Sequence, residues 1–319
     1  TSSLDNLTEK KIQVSLKKLM QNKKSLIIAH RLSTIEDSDL IYVLDNLLTG
    51  SIKNLHQSKN INFLFGDINE DTSLDQLSDI GTFDFIFHYS AVVGVERTQR
   101  NPLLVLKDID GFKNILKLAV DHNSNRVFFA SSSEVYGEPF EIPQNETTTP
   151  LNSRLPYAII KNLGESFFRT YQKEFNLNFT IFRFFNTYGP LQSRDFVISK
   201  FIELALNNED IPIYGDGNQT RTFLHVDDNI NFTVDCLHQG LFLNDVVNVG
   251  SDVEVTIEEL ATKIIQLSNS RSKIIFLDPL KEGDMTRRKP DLAKFKSAYD
   301  KTFISLDSGI LDLIEHFKT

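Results

Sequence analysis

Tyr157 and Lys161 are the two residues whose types and spacing point most directly to chemistry. They are four positions apart in a predicted helix, so both side chains lie on one face, one turn apart. A nearby ammonium group lowers the pKa of a phenol, and the phenolate can then act as a general base towards a hydroxyl group. Tyr-x-x-x-Lys also arises by chance, in which case Tyr157 would be an ordinary aromatic residue on a helix surface.

A cluster of hydroxyl groups precedes this pair by about 25 residues. The pattern of segment 128–137 predicts a strand that ends in Ser131, Ser132 and Ser133 and continues into a turn. Serines at the end of a strand often only cap the turn that follows. Because the two motifs occur in this order and at this distance, we interpret the serines and the tyrosine–lysine pair as parts of one reactive site.

Strands and helices alternate along the part of the chain that must position these residues. Strands are predicted at Ser25–His30, Leu40–Leu44, Asn62–Phe65, Phe83–His88, Arg126–Ala130 and Asn178–Arg183, and helices at Thr8–Met20, Asn101–Asp121 and Pro156–Phe175. The alternation favours an α/β fold with a parallel sheet covered by helices on both faces. After Asn186 the pattern becomes less regular, which indicates a smaller C-terminal lobe.

Length and composition are those of an ordinary globular protein and exclude several classes. The 319 residues are 40% hydrophobic and 24% charged, enough to bury a substantial core. The net charge of −9 argues against nucleic acid as a partner, the single Cys236 excludes a disulfide framework or a cysteine-rich metal site, and no apolar run has the length of a membrane span. We expect a soluble cytoplasmic protein without a metal ion. Because the sequence begins with Thr1, we also expect it to start inside a longer reading frame.

From about Leu44 to its end, the sequence resembles the extended short-chain dehydrogenase/reductases that modify nucleotide sugars. The resemblance rests on segment 44–50, which matches a family strand whose acidic residue meets the adenosine ribose of NAD, and on the serine and tyrosine–lysine motifs. It implies a Rossmann-like fold, NAD as the cofactor and transient oxidation at C4 of the sugar. Ser132 would bind the reacting hydroxyl group and complete a catalytic set with Tyr157 and Lys161.

The resemblance also implies a set of cofactor-binding residues. These are Asp45, Asn46, Asp67, Ile68, Ser90, Tyr157 and Lys161. Residues 88–91, His-Tyr-Ser-Ala, replace the usual His-Leu-Ala-Ala that lies along the dinucleotide, and we interpret His88 as a packed histidine at a strand end. A further departure is Asp108, which stands where the family's helix usually has a structural asparagine.

The glycine-rich loop that opens this family is missing. The loop, G-x-x-G-x-x-G between a strand and a helix, holds the NAD pyrophosphate through backbone amides and the positive end of the helix. Gly50 is the only glycine among the first 65 residues. Segment 25–45 is predicted as strand–turn–strand and could fill the vacant place in the sheet. Its turn, 30–34, has bulky residues where close backbone approach favours glycine, although Arg31 or the amides near Ser33 could contact a phosphate.

Residues 1–46 resemble a different family, the C-terminal part of ABC-transporter ATPase domains. The similar segments are Thr1–Asp5, Ser25–Ile35 and Ile41–Asp45. His30 matches the switch-loop histidine of that family. A phosphate-binding loop of the form G-x-x-x-x-G-K-[ST] is absent from the sequence, so we exclude ATP hydrolysis.

The C-terminal half resembles the substrate-binding side of the nucleotide-sugar enzymes. Segment 183–190 matches the turn R-x-x-N-x-Y-G-P, whose asparagine, here Asn186, binds the sugar nucleotide. Segment 214–221 matches the stretch whose arginine clamps the diphosphate, and Arg221 offers the planar pair of donors that phosphate oxygens favour. An arginine more often forms a surface ion pair, but the neighbouring motif favours the binding role.

The sequence around Arg288 indicates which reaction follows the oxidation. Segment 282–291 resembles the Arg-Lys-Pro stretch of the UDP-glucuronate decarboxylases, and alignment gives Arg288 the role of meeting the uronate carboxylate. A run of cations is otherwise usually a solvated face. At 132–134, Ser-Ser-Glu keeps the glutamate of the Thr-Asp-Glu motif of 4,6-dehydratases and loses the aspartate, whereas 4-epimerases usually lack the glutamate as well.

We therefore predict the decarboxylation of UDP-glucuronate to UDP-xylose. The predicted catalytic residues are Ser132, Glu134, Tyr157, Lys161 and Arg288, and the predicted substrate-binding residues are Asn186, Arg221 and Arg288. A nucleotide-sugar 4-epimerase or 4,6-dehydratase is the alternative within the family. An inactive fusion product with an incomplete cofactor site is the alternative of another class.

The same comparison suggests how the chain is organised and what it binds. Residues 1–46 form the ABC-like fragment, 47–186 the NAD-binding part and 187–319 mainly the part that binds a nucleotide-diphosphate sugar. Helices 101–121 and 156–176 resemble the pair that forms a four-helix dimer interface in the family, which implies a homodimer.

Overall fold

The computed structural model describes residues 24–27, 40–279 and 285–318. The predicted helix Thr8–Met20, the turn 30–34 and residues 282–284 of the Arg288 segment lie outside the described residues. The strands are β1 Lys24–Ile27, β2 Leu40–Asp45, β3 Ile61–Phe65, β4 Phe85–His88, β5 Arg126–Ser132, β6 Phe179–Phe184, β7 Asn186–Tyr188, β8 Ile211–Tyr214, β9 Thr220–His225, β10 Asp245–Val249, β11 Glu254–Thr256 and β12 Ile274–Leu277. The α-helices are α1 Asp71–Ile80, α2 Val95–Arg100, α3 Pro102–Leu106, α4 Asp108–Asp121, α5 Pro156–Phe175, α6 Val197–Leu206, α7 Val226–His238, α8 Ile257–Leu267, α9 Ala293–Ala298 and α10 Leu306–Lys318.

The main sheet has seven strands in the order β10-β6-β5-β4-β1-β2-β3. Every neighbouring pair in it is parallel. β1 lies in the middle, with Ser25 opposite Ile41 of β2 and Phe85 of β4. The run 3-2-1-4-5-6 is the strand order of a Rossmann fold. The predicted fold is therefore confirmed, and residues 24–27 take the place of the first strand.

Helices cover both faces of this sheet because its apolar side chains alternate. Val127 and Phe129 of β5 pack into a cluster with residues of α4 and α5, whereas Phe128 packs into a second cluster with Phe232 of α7 and Phe295 of α9. Successive residues of a strand point to opposite faces, so one strand supplies both cores.

The C-terminal part builds a smaller lobe around two short sheets, β11-β9-β7 and β12-β8. Helices α6, α8 and α10 enclose a third apolar cluster that includes Ile202, Leu260 and Leu313. β10 leaves this region and pairs with β6 in the main sheet. The main sheet therefore includes a strand from the segment that follows residue 187.

The predicted helix Asn101–Asp121 is two helices, α3 and α4, separated at Lys107. Asp108 begins α4 and is only 7% exposed, and its carboxylate accepts a hydrogen bond from the backbone of Val92. Helix α5, by contrast, has the predicted bounds Pro156–Phe175. Within the ranges that the structure describes, no helix is long and apolar enough to cross a membrane.

Candidate active site

The carboxyl ends of the parallel strands meet at one edge of the main sheet, which is where open α/β sheets bind ligands. β2 ends at Asp45, and β3 ends two residues before Asp67. β4 ends two residues before Ser90, and β5 ends at Ser132. The fold thus carries four of the predicted site residues to a single edge.

Helix α5 lies close to β5 and brings Tyr157 and Lys161 to the same place. A Cβ atom added at Gly164 would lie 2.6 Å from Cζ of Phe129, so this approach of helix and strand requires glycine. The Lys161 ammonium donates to the carbonyl oxygen of Ala130 at 2.7 Å and lies 5.7 Å from the centre of the Tyr157 ring. The predicted pairing of the two side chains on one helix face is confirmed.

Burial controls the protonation of both groups. It lowers the pKa of Lys161 to about 8. It also raises the pKa of the Tyr157 hydroxyl well above its ordinary value; the Glu134 carboxylate raises this pKa further, whereas Ser132 and Arg288 lower it. The expectation that Lys161 brings about a low tyrosine pKa is therefore wrong for this structure, because removing the phenolate from water outweighs the nearby cations.

Ser132, Glu134 and Arg288 come together at the end of β5. Ser132 caps the 3₁₀ turn Ser133–Tyr136 by accepting a hydrogen bond from the Glu134 N–H at 3.2 Å. The Glu134 carboxylate lies 3.5 Å from Nη1 of Arg288, which is only 6% exposed. In the described part of the chain, the other hydrogen-bond partner of Arg288 is Sδ of Met285, at 3.2 Å. Arg288 has five N–H donors, so with these two partners it can still donate hydrogen bonds to a further anion.

The ends of β2 and β3 are tied together by hydrogen bonds. Asn46 Nδ2 donates to the Asp67 carboxylate at 3.1 Å, and the Gly66 N–H donates to the carbonyl oxygen of Asp45 at 3.2 Å. The Asp45 carboxylate accepts from the Leu47 N–H at 2.6 Å, which fixes its orientation. Two carboxylates therefore stand at neighbouring strand ends, and a carboxylate at this position suits the hydroxyl groups of a ribose.

Ser90 offers a further sign that a polar ligand belongs here. Its hydroxyl oxygen is buried and has no hydrogen-bond partner among the described residues. A buried hydroxyl without a partner costs free energy, so Ser90 suits a ligand group that supplies one. The described residues fit the dinucleotide that the resemblance implies, while residues 28–39, which follow β1, lie outside the described part.

The other residues around the strand ends are placed as follows. The Ile68 side chain lies in the core, so only the backbone of this residue is left for a cofactor contact. His88 is a packed histidine, as predicted: it is buried, stacks on Phe129 at 5.9 Å, and burial lowers its pKa to about 3. Within the described ranges, no group of three or more His, Cys, Asp or Glu side chains could hold a metal ion.

Asn186 and Arg221 lie on adjacent strands of the small sheet β11-β9-β7. Asn186 Nδ2 donates to the carbonyl oxygen of Thr222 at 3.1 Å. Arg221 is buried and donates to the carbonyl oxygen of Thr220 at 2.8 Å. A β-bridge between Thr220 and Arg287 places the segment that carries Arg288 beside the same strand. The predicted substrate residues therefore share one region of the fold.

Glu165, a residue that the motifs did not single out, anchors α5. Its carboxylate accepts from Nε and Nη2 of Arg183 at 2.9 Å and 2.7 Å and from the Ser131 hydroxyl at 2.7 Å. Removing one partner of such a buried ion pair is strongly destabilising, so this contact fixes the helix against β5 and β6. Glu165 lies four positions after Lys161, which places the two side chains on one face of α5. This spacing is the sequence signal that could have identified Glu165.

The same network continues to the segment that follows Arg288. Arg183 Nη1 donates to the Tyr136 hydroxyl at 2.9 Å, and that hydroxyl donates to Asn248 at 2.7 Å. Asn248 Nδ2 then donates to the carbonyl oxygen of Gln144 at 2.8 Å. The Gln144 N–H donates to the carbonyl oxygen of Lys289, also at 2.8 Å. Buried hydrogen bonds therefore connect the helix of the tyrosine–lysine pair to the chain beside Arg288.

Comparisons with known proteins agree with this geometry. The UDP-N-acetyl-alpha-D-glucosaminuronate decarboxylase of Bacillus cytotoxicus is 32% identical over 294 residues, covering 87% of this chain and 90% of its own length. The UDP-glucuronic acid decarboxylase 1 of Danio rerio is 32% identical over 292 residues, covering 88% of this chain and 67% of its own length. The crystal structure of UDP-glucose 4-epimerase from Thermotoga maritima with UDP-glucose matches with a TM-score of 0.85 and 25% identity, covering 92% of this chain and 98% of that one.

The family match reaches further towards the N-terminus than the sequence motifs did. The model of the NAD dependent epimerase/dehydratase family matches residues 15–250. It therefore includes β1 and most of the segment that resembles an ABC ATPase. On this match, and on a fold whose first strand lies in its Rossmann position, the chain belongs to the NAD-dependent epimerase/dehydratase family.

Proposed function

We propose that the chain decarboxylates UDP-glucuronate to UDP-xylose by NAD-dependent transient oxidation at C4. The observation that carries the proposal is the buried Arg288, which lies 3.5 Å from Glu134 at the strand end that also bears Ser132. A guanidinium pairs well with the carboxylate of a uronic acid. Two relatives that are 32% identical are decarboxylases of UDP-linked uronates by name, which supports this substrate class.

The first step uses the residues at the ends of β5 and α5. Ser132 holds the C4 hydroxyl group, and Tyr157 takes its proton as the hydride leaves C4. Tyr157 must first lose its own proton against the effect of burial on its pKa, and the positive charges of Lys161 and of bound NAD⁺ would favour that phenolate. NAD, when bound, accepts that hydride and later returns it. Asp45, Asp67 and Ser90 would hold the cofactor together with Lys161.

The second step follows from the chemistry of the oxidised sugar. A 4-keto uronic acid is a β-keto acid, so the bond between C5 and the carboxyl carbon breaks, its electron pair moves towards the C4 carbonyl oxygen, and CO₂ leaves. Arg288 orients the carboxylate beforehand and assists the return of a proton to C5. Glu134 holds Arg288 in place. Return of the hydride to C4 then gives the pentose.

Replacing Arg288 by alanine is expected to separate the two steps. With UDP-glucuronate and NAD⁺, Arg288→Ala should still form NADH, followed by absorbance, while UDP-xylose falls about 10–100-fold, the value of one or two charge-assisted hydrogen bonds. Arg288→Lys should recover only part of the loss, because an ammonium cannot reproduce the bidentate fork.

Arg287→Ala is the matched control. Arg287 is the neighbouring cation, is half exposed and pairs with Glu254, so this change should leave both readings near the unmodified level. If Arg288→Ala loses NADH and UDP-xylose equally, Arg288 only binds substrate and the assignment of the second step is wrong.

We also propose that the protein is a homodimer that pairs through α3, α4 and α5. Leu103 on α3 is 78% exposed, and Ile159 and Leu163, one turn apart on α5, are 47% and 36% exposed. Apolar side chains in one patch favour contact with a second copy. Light scattering should give twice the chain mass of 36.4 kDa and a monomer for Leu163→Glu. A monomeric unmodified protein would contradict the proposal.

A further inference from the structure

Asp108 joins two segments that carry candidate cofactor residues. One oxygen of its carboxylate accepts a hydrogen bond from the backbone N–H of Val92, at 3.2 Å, in the segment that contains Ser90. The other oxygen accepts from Asn69 Nδ2, at 3.3 Å, in the segment that contains Asp67. Asp108 is itself in the first turn of α4, so one side chain links the segments after β3 and β4 to this helix.

The donors around Asp108 select a carboxylate rather than an amide. Asn69 Oδ1 accepts from the backbone N–H of Gly111 at 3.0 Å, so the NH₂ group of Asn69 must face residue 108. Val92 also presents an N–H to residue 108. The side chain at 108 therefore needs two acceptors and no donor, which an ionised aspartate supplies and an asparagine or a protonated aspartic acid does not.

The surroundings of Asp108 also act on its charge. Burial raises the pKa of the Asp108 carboxyl group, whereas Lys161 and the hydrogen bonds from Val92 and Asn69 lower it. The two donors that face the carboxylate therefore favour its ionised form.

We propose that ionised Asp108 is a positioning residue, which fastens the segments after β3 and β4 to α4 and so holds Asp67 and Ser90 in place for the cofactor. The inference rests on the proposed function only in taking these segments as parts of the working site.

A swap of the two side chains tests the contact itself. Asp108→Asn alone places an NH₂ group against either the NH₂ group of Asn69 or the N–H of Val92 and should reduce the folding equilibrium constant about 10–100-fold. In the double variant Asn69→Asp with Asp108→Asn, the bond between the two side chains is reversed, and the N–H groups of Gly111 and Val92 keep their acceptors. This variant should recover most of the lost stability in denaturant unfolding. A double variant no more stable than Asp108→Asn would overturn the proposed role of these hydrogen bonds.

The affinity for NAD⁺ tests whether this contact positions the cofactor side. Calorimetry at a temperature at which each variant is folded should give about tenfold weaker NAD⁺ binding for Asp108→Asn and recovery in the double variant, because Asp67 and Ser90 stand on the joined segments. The control Asp110→Asn removes an exposed charge from the same turn, where it pairs with Lys113, and should leave the affinity unchanged. An unchanged affinity in Asp108→Asn contradicts the positioning role. Because binding needs no turnover, this reading stands apart from any failure of the decarboxylase assignment.

Discussion

Tyr157→Phe is expected to lower the rate of NADH formation from UDP-glucuronate by about 10²–10⁴-fold, the usual loss when a positioned base is removed. The structure explains why no other group replaces it. Lys161 donates to the Ala130 carbonyl oxygen, and the Glu134 carboxylate is directed at Arg288. Single-turnover absorbance at saturating NAD⁺ measures this step directly.

Tyr171→Phe is the control for this change, since Tyr171 is on the same helix and packs against Phe175 at 5.1 Å. It should keep the full rate. A Tyr157→Phe protein that still forms NADH within a few-fold of the unmodified rate would remove the tyrosine from the mechanism.

Affinity for NAD⁺ is expected to be about 10²–10⁴-fold weaker than in a family member that carries the glycine-rich loop. Without the loop, two charge-assisted hydrogen bonds to the pyrophosphate are lost, each contributing roughly 1.5–3 kcal/mol. The reason lies in the sequence: residues 28–39, between β1 and β2, contain no glycine. Calorimetry with purified protein and NAD⁺ gives the dissociation constant.

A submicromolar dissociation constant would contradict this expectation and imply that the 30–34 turn replaces the loop. Arg31→Ala then shows whether its guanidinium supplies the missing contact. No binding at millimolar NAD⁺, on the other hand, would show that the turn does not replace the loop at all.

The sequence predicted the elements whose signals are local. Helix α5 has strong helical spacing from Pro156 to Phe175, and its bounds agree with the structure. The strand before Ser132 was also predicted, although β5 extends to Ser132 because it pairs with Phe184 of β6. The break at Lys107 was not predictable in this way. It coincides with the hydrogen bond from Val92 to Asp108, a contact between residues that are 16 positions apart.

The candidate site shows the same division. The pair Tyr157 and Lys161 follows from helical spacing, but the approach of Arg288 to Glu134 joins residues 154 positions apart and required the resemblance to a known family. The raised pKa of Tyr157 depends on burial, which residue types and spacing do not report. The helical spacing could have identified Glu165 of α5, but not its partner Arg183, which is on β6.

The release of labelled CO₂ tests the central claim most directly. The unmodified protein is incubated with excess NAD⁺ and with UDP-glucuronate that carries carbon-13 in its carboxyl group, and both gas and nucleotide sugars are analysed by mass spectrometry. Decarboxylation predicts labelled CO₂ and UDP-xylose in equal amounts. Interconversion of UDP-glucose and UDP-galactose in a parallel incubation, with no labelled CO₂ from UDP-glucuronate, would contradict the account and identify the protein as a 4-epimerase.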